Sequence, residues 1–214
     1  MTATAMDPIL IDVPERIETE RLVLRMPRAG DGATVNAAVA ASIAELGPWL
    51  PWAGTMPSVE ESEVHCRRQF GKFILREDFV LLMFEHAAGG VEGRLVGGTG
   101  LHRIDWALRR FEIGYWRRTG CEGRGYVTEA VRAISRMAFD SLAARRVEIR
   151  MDDRNERSWK VAERAGFTLE ALLRFDAATP HGEPRSTRVY ARVRGAEEPM
   201  EPMGPTPPAE PLSS

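Results

Sequence analysis

Cysteine is scarce: Cys66 and Cys121 are the only two in 214 residues. Two cysteines cannot build the disulfide framework of a small secreted scaffold, so a reducing cytoplasm is the expected setting. No run of 18 or more apolar residues occurs, which excludes a transmembrane helix. The opening stretch, MTATAMDPILIDVPERIETE, lacks a basic start followed by an apolar block and does not read as a secretory signal. Metal-ligand spacing is missing as well. His65, His86, His102 and His181 stand apart, with no H-E-x-x-H or C-x-x-C, so no metal is expected and the histidines read as structural. Neither a G-x-S-x-G elbow nor a lysine-bearing G-x-x-x-x-G-K-[ST] loop is present. Trp49, Trp52, Trp106 and Trp116 are not interleaved with a dense basic stripe, which argues against nucleic-acid binding.

What is present is an ordinary globular composition, 43% hydrophobic and 28% charged, sufficient for one domain with a substantial core. The net charge of −2 hides an asymmetry. Residues 1–102 carry 9 basic against 14 acidic side chains, and residues 103–194 carry 20 against 13. A basic second half suits an anionic ligand, although a solvated arginine-rich surface would look the same. Residues 195–214 hold six prolines and four glutamates and read as a tail outside the domain. Residues 1–16 read as a lead-in, leaving 17–194 as the folded unit.

Within that unit strands and helices alternate. Arg21–Met26 has the period-two pattern of a half-buried strand. Asp31 is placed to cap a helix running to about Leu46, where Gly47-Pro48 stops it. Ser58 and Glu61 have the spacing of a capping box for a helix to about Phe73. Phe79–His86 and Leu95–Arg103 read as a hairpin around the glycine-rich turn Ala87–Gly93. A strand at Arg110–Arg117, a helix at Val127–Ser141 and a strand at Arg146–Met151 follow. A helix at Asn155–Ala165 and strands at Phe167–Phe175 and Thr187–Val193 close the chain. Consecutive strands imply antiparallel pairing, and the strand–helix–strand at 110–151 implies one parallel pair. The expected fold class is therefore α/β: a mixed, mostly antiparallel sheet of about seven strands, with helices on both faces.

The most informative stretch is Gly114–Thr128, GYWRRTGCEGRGYVT. It ends a strand, supplies glycines at 120, 123 and 125, and opens a long helix. Glycine lets the backbone take positive φ and approach a ligand closely. The helix start adds free N–H groups and partial positive charge, a cradle for pyrophosphate. Its spacing, G-x-x-G-x-G, is not the G-x-G-x-x-G of dinucleotide folds.

These residues, EIGYW at Glu112–Trp116 and GRGYVTEA at Gly123–Ala130, resemble the acetyl-CoA motif of GNAT N-acetyltransferases. Asn155–Phe167, NERSWKVAERAGF, resembles that family's next motif. Thr19-Glu-Arg-Leu22, Trp49-Leu-Pro-Trp52 and Tyr190-Ala-Arg192 are similar to its ribosomal-protein N-terminal branch. The resemblance spans about residues 17–194. It implies the GNAT fold, acetyl-CoA as cosubstrate, and a primary amine as acceptor, foremost a protein N-terminal α-amine and alternatively a small amine. A non-catalytic CoA-binding domain is the reading from another class. A homodimer is compatible with it.

Acyl transfer to an amine needs a neutral nucleophile, a polarised carbonyl and a proton for the departing thiolate. An α-amine titrates at roughly 7.7–8.0, so a modest base suffices. Glu112, which interrupts an apolar strand, is the first candidate base and Asp176, just past the penultimate strand, the second. Ser158, by its place in N-x-x-S, is the candidate acid, since position 162, where many relatives carry tyrosine, is alanine. The expected cofactor contacts are Tyr115, Trp116, Arg117, Arg118, Cys121, Glu122, Gly123, Arg124, Gly125, Tyr126, Thr128, Asn155, Ser158 and Lys160. Trp49 and Trp52, in a proline-rich link, are the expected substrate wall.

Overall fold

A computed structural model describes residues 6–87 and 91–195. The proline-rich tail and the tip of the Ala87–Gly93 turn lie outside the described residues, apart from their first and flanking positions. In chain order the elements are β1 (Arg16–Glu18), β2 (Leu22–Arg25), α1 (Gly32–Ala40), α2 (Ile43–Leu46) and α3 (Val59–Ile74). There follow β3 (Phe79–His86), β4 (Glu92–Asp105), β5 (Arg110–Arg117), α4 (Tyr126–Asp140), β6 (Arg146–Asp152), α5 (Glu156–Arg164), β7 (Thr168–Ala178) and β8 (Pro184–Val193). All eight strands join one sheet in the order β1-β2-β3-β4-β5-β6-β8-β7. Every pair is antiparallel except β5 with β6.

Period-two alternation places helices on both faces. From β3, Phe79, Leu81 and Met83 join a core shared with Ala130, Val131 and Ile134 of α4 and Val161 of α5. The intervening Leu82 and Phe84 face Val35, Ala38 and Val39 of α1 and Cys66 of α3. Ser58 and Glu61 form the reciprocal capping box that their spacing predicts. Asn155 caps α5 by accepting a hydrogen bond from the Ser158 N–H.

Four expectations are corrected. There are eight strands rather than about seven, because β1 forms from residues next to the expected lead-in. That lead-in is not separate: Ile11 and Val13 are buried in the main core. The helix expected from Asp31 to Leu46 divides at Ser42, whose hydroxyl donates back to the Ala38 carbonyl at 2.8 Å, an i−4 bond that disturbs a helix. Asp31 makes no cap bond, because its carboxylate accepts from the guanidinium of Arg25 at 2.7 and 2.8 Å. Arg25 is buried and rests on the Phe84 ring, so its charge has the stronger claim on Asp31 and Glu92 than a helix end that water can reach.

Candidate active site

The parallel pair at the middle of the sheet is short. Arg110, Phe111 and Glu112 pair with Arg146, Val147 and Glu148, and the two strands then part. β5 remains bonded to β4 as far as Arg117, and β6 to β8 as far as Asp152. The facing edges of Ile113–Arg117 and Ile149–Asp152 thus have no strand partner across the gap. A cleft of about 1600 Å³ opens there, lined among others by Ile113, Gly114, Tyr115, Ile149 and Met151. Unpaired backbone groups along such an edge can be satisfied by a ligand that carries amides of its own.

The glycine loop closes one end of this cleft. Gly120, Gly123 and Gly125 have φ of 85°, 70° and 75°, which is why no other residue type sits there easily. Gly125 precedes α4 without any side-chain cap, and the first intrahelical bond of the turn is donated by Glu129. The N–H groups of Tyr126, Val127 and Thr128 are therefore available to an anion. A Cβ placed on Gly120 or Gly123 would meet no protein atom within 4 Å, so neither is packed against the core, and Gly123 lines the cleft. Cys121, buried, anchors the loop beneath.

The loop is braced from β2's approach. Glu129, in the first turn of α4, accepts from the Thr19 hydroxyl at 2.6 Å, the Arg21 N–H at 2.9 Å and Arg21 Nε at 2.7 Å. Burial alone would raise the Glu129 pKa; the hydrogen bonds from Thr19 and Arg21 outweigh it and hold the carboxylate below its ordinary range. Arg21 also donates to the Arg124 carbonyl at 2.6 Å and lies over the Tyr126 ring. The Thr19–Leu22 segment is thus a buttress of the loop, a role its sequence did not disclose.

Of the expected cofactor contacts, Tyr115, Arg117, Cys121, Glu122, Gly123, Gly125, Tyr126, Thr128, Asn155, Ser158 and Lys160 all line the cleft. Trp116, Arg118 and Arg124 do not. Trp116 lies across Gly98 on the opposite side of β5 from Tyr115, Arg118 reaches the Leu95 carbonyl, and Arg124 pairs with Glu85. The charge expected from Arg117 and Lys160 is also largely committed, to Glu122 with Glu45 and to Glu156. Arg132 and Arg136 of α4 and Arg157 and Arg164 of α5 line the cleft instead, with no carboxylate partner among the described residues. Their i, i+4 spacing on α4 was the signal available in the sequence.

Glu112 sits where β5 and β6 begin to part, and it lines the cleft. Its side chain is 17% exposed, and one carboxylate oxygen has no hydrogen bond although Arg103 lies 3.4 Å away. Burial raises its pKa; Arg103 pulls it down and Glu148 pushes it up. A carboxylate so placed is a better proton acceptor than one in water. Asp176 lies within β7 and not in a loop beyond it; it pairs with Arg150 at 3.4 Å and does not line the cleft. Ser158 meets an unforeseen partner. The Tyr115 hydroxyl donates to the Ser158 carbonyl at 2.9 Å and lies 3.0 Å from the Ser158 hydroxyl. Burial pushes the Tyr115 pKa up to about 12, so its proton stays on the ring. A phenol from β5 thus stands beside Ser158 in the first turn of α5.

Trp49 lines the cleft together with Leu50 and Pro51, whereas Trp52 packs edge-on against Trp116, centroids 6.0 Å apart, away from the cleft wall. Among the described residues no three His, Cys, Asp or Glu side chains are placed to hold a metal, and no helix is long and apolar enough to cross a membrane.

A parted parallel pair, closed by a glycine loop at a helix start and flanked by arginines, defines an acyltransferase built for a phosphorylated carrier. The chain belongs to the GNAT acetyltransferase family, whose domain matches residues 21–168 and whose acetyl donor is acetyl-CoA. It is similar to YdaF of Bacillus subtilis (strain 168), provisionally named a ribosomal N-acetyltransferase, 30% identical across 72% of this chain and 82% of that one. It is equally similar, at 30%, to the ribosomal-protein-serine acetyltransferase of Escherichia coli (strain K12), across 68% and 79%. Among solved structures, RimL, a ribosomal alpha-N-protein acetyltransferase in complex with coenzyme A, superposes with a TM-score of 0.76 at 23% identity, covering 84% of this chain and 98% of that one.

Proposed function

We propose that the chain acetylates the N-terminal α-amine of a protein, a ribosomal protein foremost, in the cytoplasm. The observation that carries this reading is the pair of ribosomal acetyltransferase relatives, each matched over about four-fifths of its own length. The cleft agrees with it. Trp49, Leu50 and Pro51 give it a firm apolar shoulder, and Glu20, with no ion-pair partner among the described residues, adds negative charge that draws in an ammonium group.

In this reading acetyl-CoA, when bound, supplies the activated thioester. The N–H groups of Tyr126–Thr128 and the arginines of α4 and α5 hold its phosphates. The strand from Arg117 back to Glu112 spans about 16 Å at roughly 3.3 Å per residue, which separates the phosphate end from the chemistry. Glu112 takes a proton from the acceptor ammonium, and the Tyr115–Ser158 hydroxyls stand ready to stabilise and protonate the departing sulfur.

The test is thiol release from acetyl-CoA with short peptides that begin with Ser or Ala, compared with polyamines and aminoglycosides. The peptides are expected to give the higher kcat/KM. A hundredfold advantage for a small amine would sink the protein-acceptor reading while leaving acetyl transfer intact.

A further inference from the structure

The sheet face that carries Glu112 also carries an imidazole. His102 of β4 stands directly opposite Glu112 in the antiparallel register, a relation that puts Cβ atoms about 4.5–5.5 Å apart. Its Nδ1 lies 2.6 Å from Oδ1 of Asp78, at the residue just before β3. An ionised carboxylate only accepts, so Nδ1 carries the hydrogen and Nε2 of the neutral ring keeps its lone pair. Asp78 is the ring's one hydrogen-bond partner among the described residues.

The floor beneath this ring is made of glycine. Gly100 and Gly114 face each other across the β4–β5 ladder. A Cβ on Gly100 would stand 2.8 Å from Cε1 and Nε2 of His102, and one on Gly114 would stand 2.8 Å from Cδ2 and 3.0 Å from Nε2. Glycine inside a strand costs about 0.5–1 kcal/mol relative to alanine, so an opposed pair of them needs a reason. The reason here is that the ring edge bearing Nε2 lies flat over both. Gly114 lines the cleft, two residues along β5 from Glu112. The His102 side chain is 34% exposed, twice as open as that of Glu112.

We infer that the Asp78–His102 pair is a proton relay behind Glu112, resting on the reading of Glu112 as the base. The acceptor ammonium gives one proton to the Glu112 carboxylate. Glu112 passes it through a water to Nε2 of His102, whose ring lies over Gly114 at the margin of the cleft and not in its wall, and the imidazolium beside Asp78 releases it to solvent. The second nitrogen proton leaves as the N–C bond forms and the C–S bond breaks, and it goes to the departing sulfur. One proton is released per turnover, and Glu112 returns to its ionised form for the next. The His102 side chain, the more exposed of the two, offers that proton the more open way out. The charged groups that face Glu112 are Arg103, Glu148 and Arg150 from the strands, with His102 itself. On the Asp78 side they are His65 and Lys72 from α3.

The experiment measures kcat and kcat/KM from pH 6 to 9.5 for the wild type, His102→Gln, Asp78→Asn and Glu112→Gln. One amine that the wild type acetylates is used throughout, with CoA affinity and Tm recorded for each. His102→Gln is expected to lose about tenfold to a hundredfold in kcat, less than the upper range for a direct acid–base group, and to shift its optimum to higher pH. Rising imidazole buffer should restore part of that loss, because an external base replaces the relay; CoA affinity should not change. Asp78→Asn should show the same shift with a smaller loss, and it decides the matter should His102→Gln fail to fold. Wild-type rates and pH profile in His102→Gln, or a loss that buffer does not restore, overturn the relay. If Glu112→Gln is inactive while His102→Gln is unaffected, the relay falls and the base stands. If Glu112→Gln keeps full activity, the base assignment falls and takes the relay with it.

Discussion

Arginine 21 makes no contact that sequence inspection would rank as functional, yet its loss should weaken the cofactor site. Arg21→Ala removes the Nε bond to Glu129 at 2.7 Å, the Nη1 bond to the Arg124 carbonyl at 2.6 Å, and the cover over Tyr126. It leaves the backbone N–H of residue 21 and the Thr19 hydroxyl on Glu129, so the carboxylate is not orphaned. The side chain is 45% exposed, which limits the ion pair to about 0.2–1 kcal/mol. The bond to the carbonyl adds about 1 kcal/mol. A total of about 1–2 kcal/mol corresponds to roughly 2–8 °C in Tm for a domain of this size. The Arg124 carbonyl and Tyr126 flank Gly125, so part of that energy holds the loop in its binding shape. Losing about 1 kcal/mol of preorganisation should raise the Kd for CoA about fivefold by calorimetry. Arg21→Lys, a point charge without the fork, should fall between. A variant with lowered Tm and wild-type CoA affinity would refute the brace as part of the site.

Gly123→Val should cost about 1–2 kcal/mol of stability, because φ of 70° is left-handed. Its Cβ meets no protein atom, so any loss of CoA affinity beyond tenfold, read by calorimetry, reports a clash with the ligand itself. Unchanged affinity would move the phosphates elsewhere. Glu112→Gln should raise Tm at pH 7 relative to the wild type. The folded state holds the Glu112 proton more tightly than the unfolded state, so wild-type stability falls as pH rises from the ordinary glutamate range through the raised folded value. The gain should shrink as pH falls through the ordinary glutamate range and vanish well below it, where both states are protonated, and a Tm difference independent of pH would contradict the burial argument.

Much of this fold was legible because local chemistry decides it. The bounds of β3 and β5 follow from their apolar runs, and the capping box and the Asn155 cap follow from spacing alone. The glycine loop was legible for the same reason, since positive φ has few other tenants. What escaped was decided at a distance. Nothing local says that β8 inserts between β6 and β7, or that Asp31 answers to a buried Arg25 rather than to its own helix. Charge was the least readable quantity. Arg117 and Arg124, beside the glycine motif in sequence, and Lys160, in the second motif, spend their charge on Glu122, Glu85 and Glu156. The uncommitted arginines lie about two and three turns along α4, at Arg132 and Arg136, and on α5, at Arg157 and Arg164, where only the folded helices bring them to the cleft. Tyr115 was assigned to the cofactor, but its bond to Ser158 joins elements 43 residues apart and could not be read from either.

The short β5–β6 ladder also has a thermodynamic side. Among the described residues three ladder pairs join the β1–β5 portion of the sheet to the β6–β8 portion, with the Arg145 N–H bond to the Arg109 carbonyl just before them and the helices that pack over it. Such a seam is where a sheet opens first, on the timescales that amide exchange records. A ligand held in the gap by both edges would take the place of the rungs that are missing. Its binding energy is then also cohesion energy for the whole domain, growing as RT ln(1 + [L]/Kd). The protein's resistance to unfolding in a cell is therefore tied to the supply of its own acetyl donor.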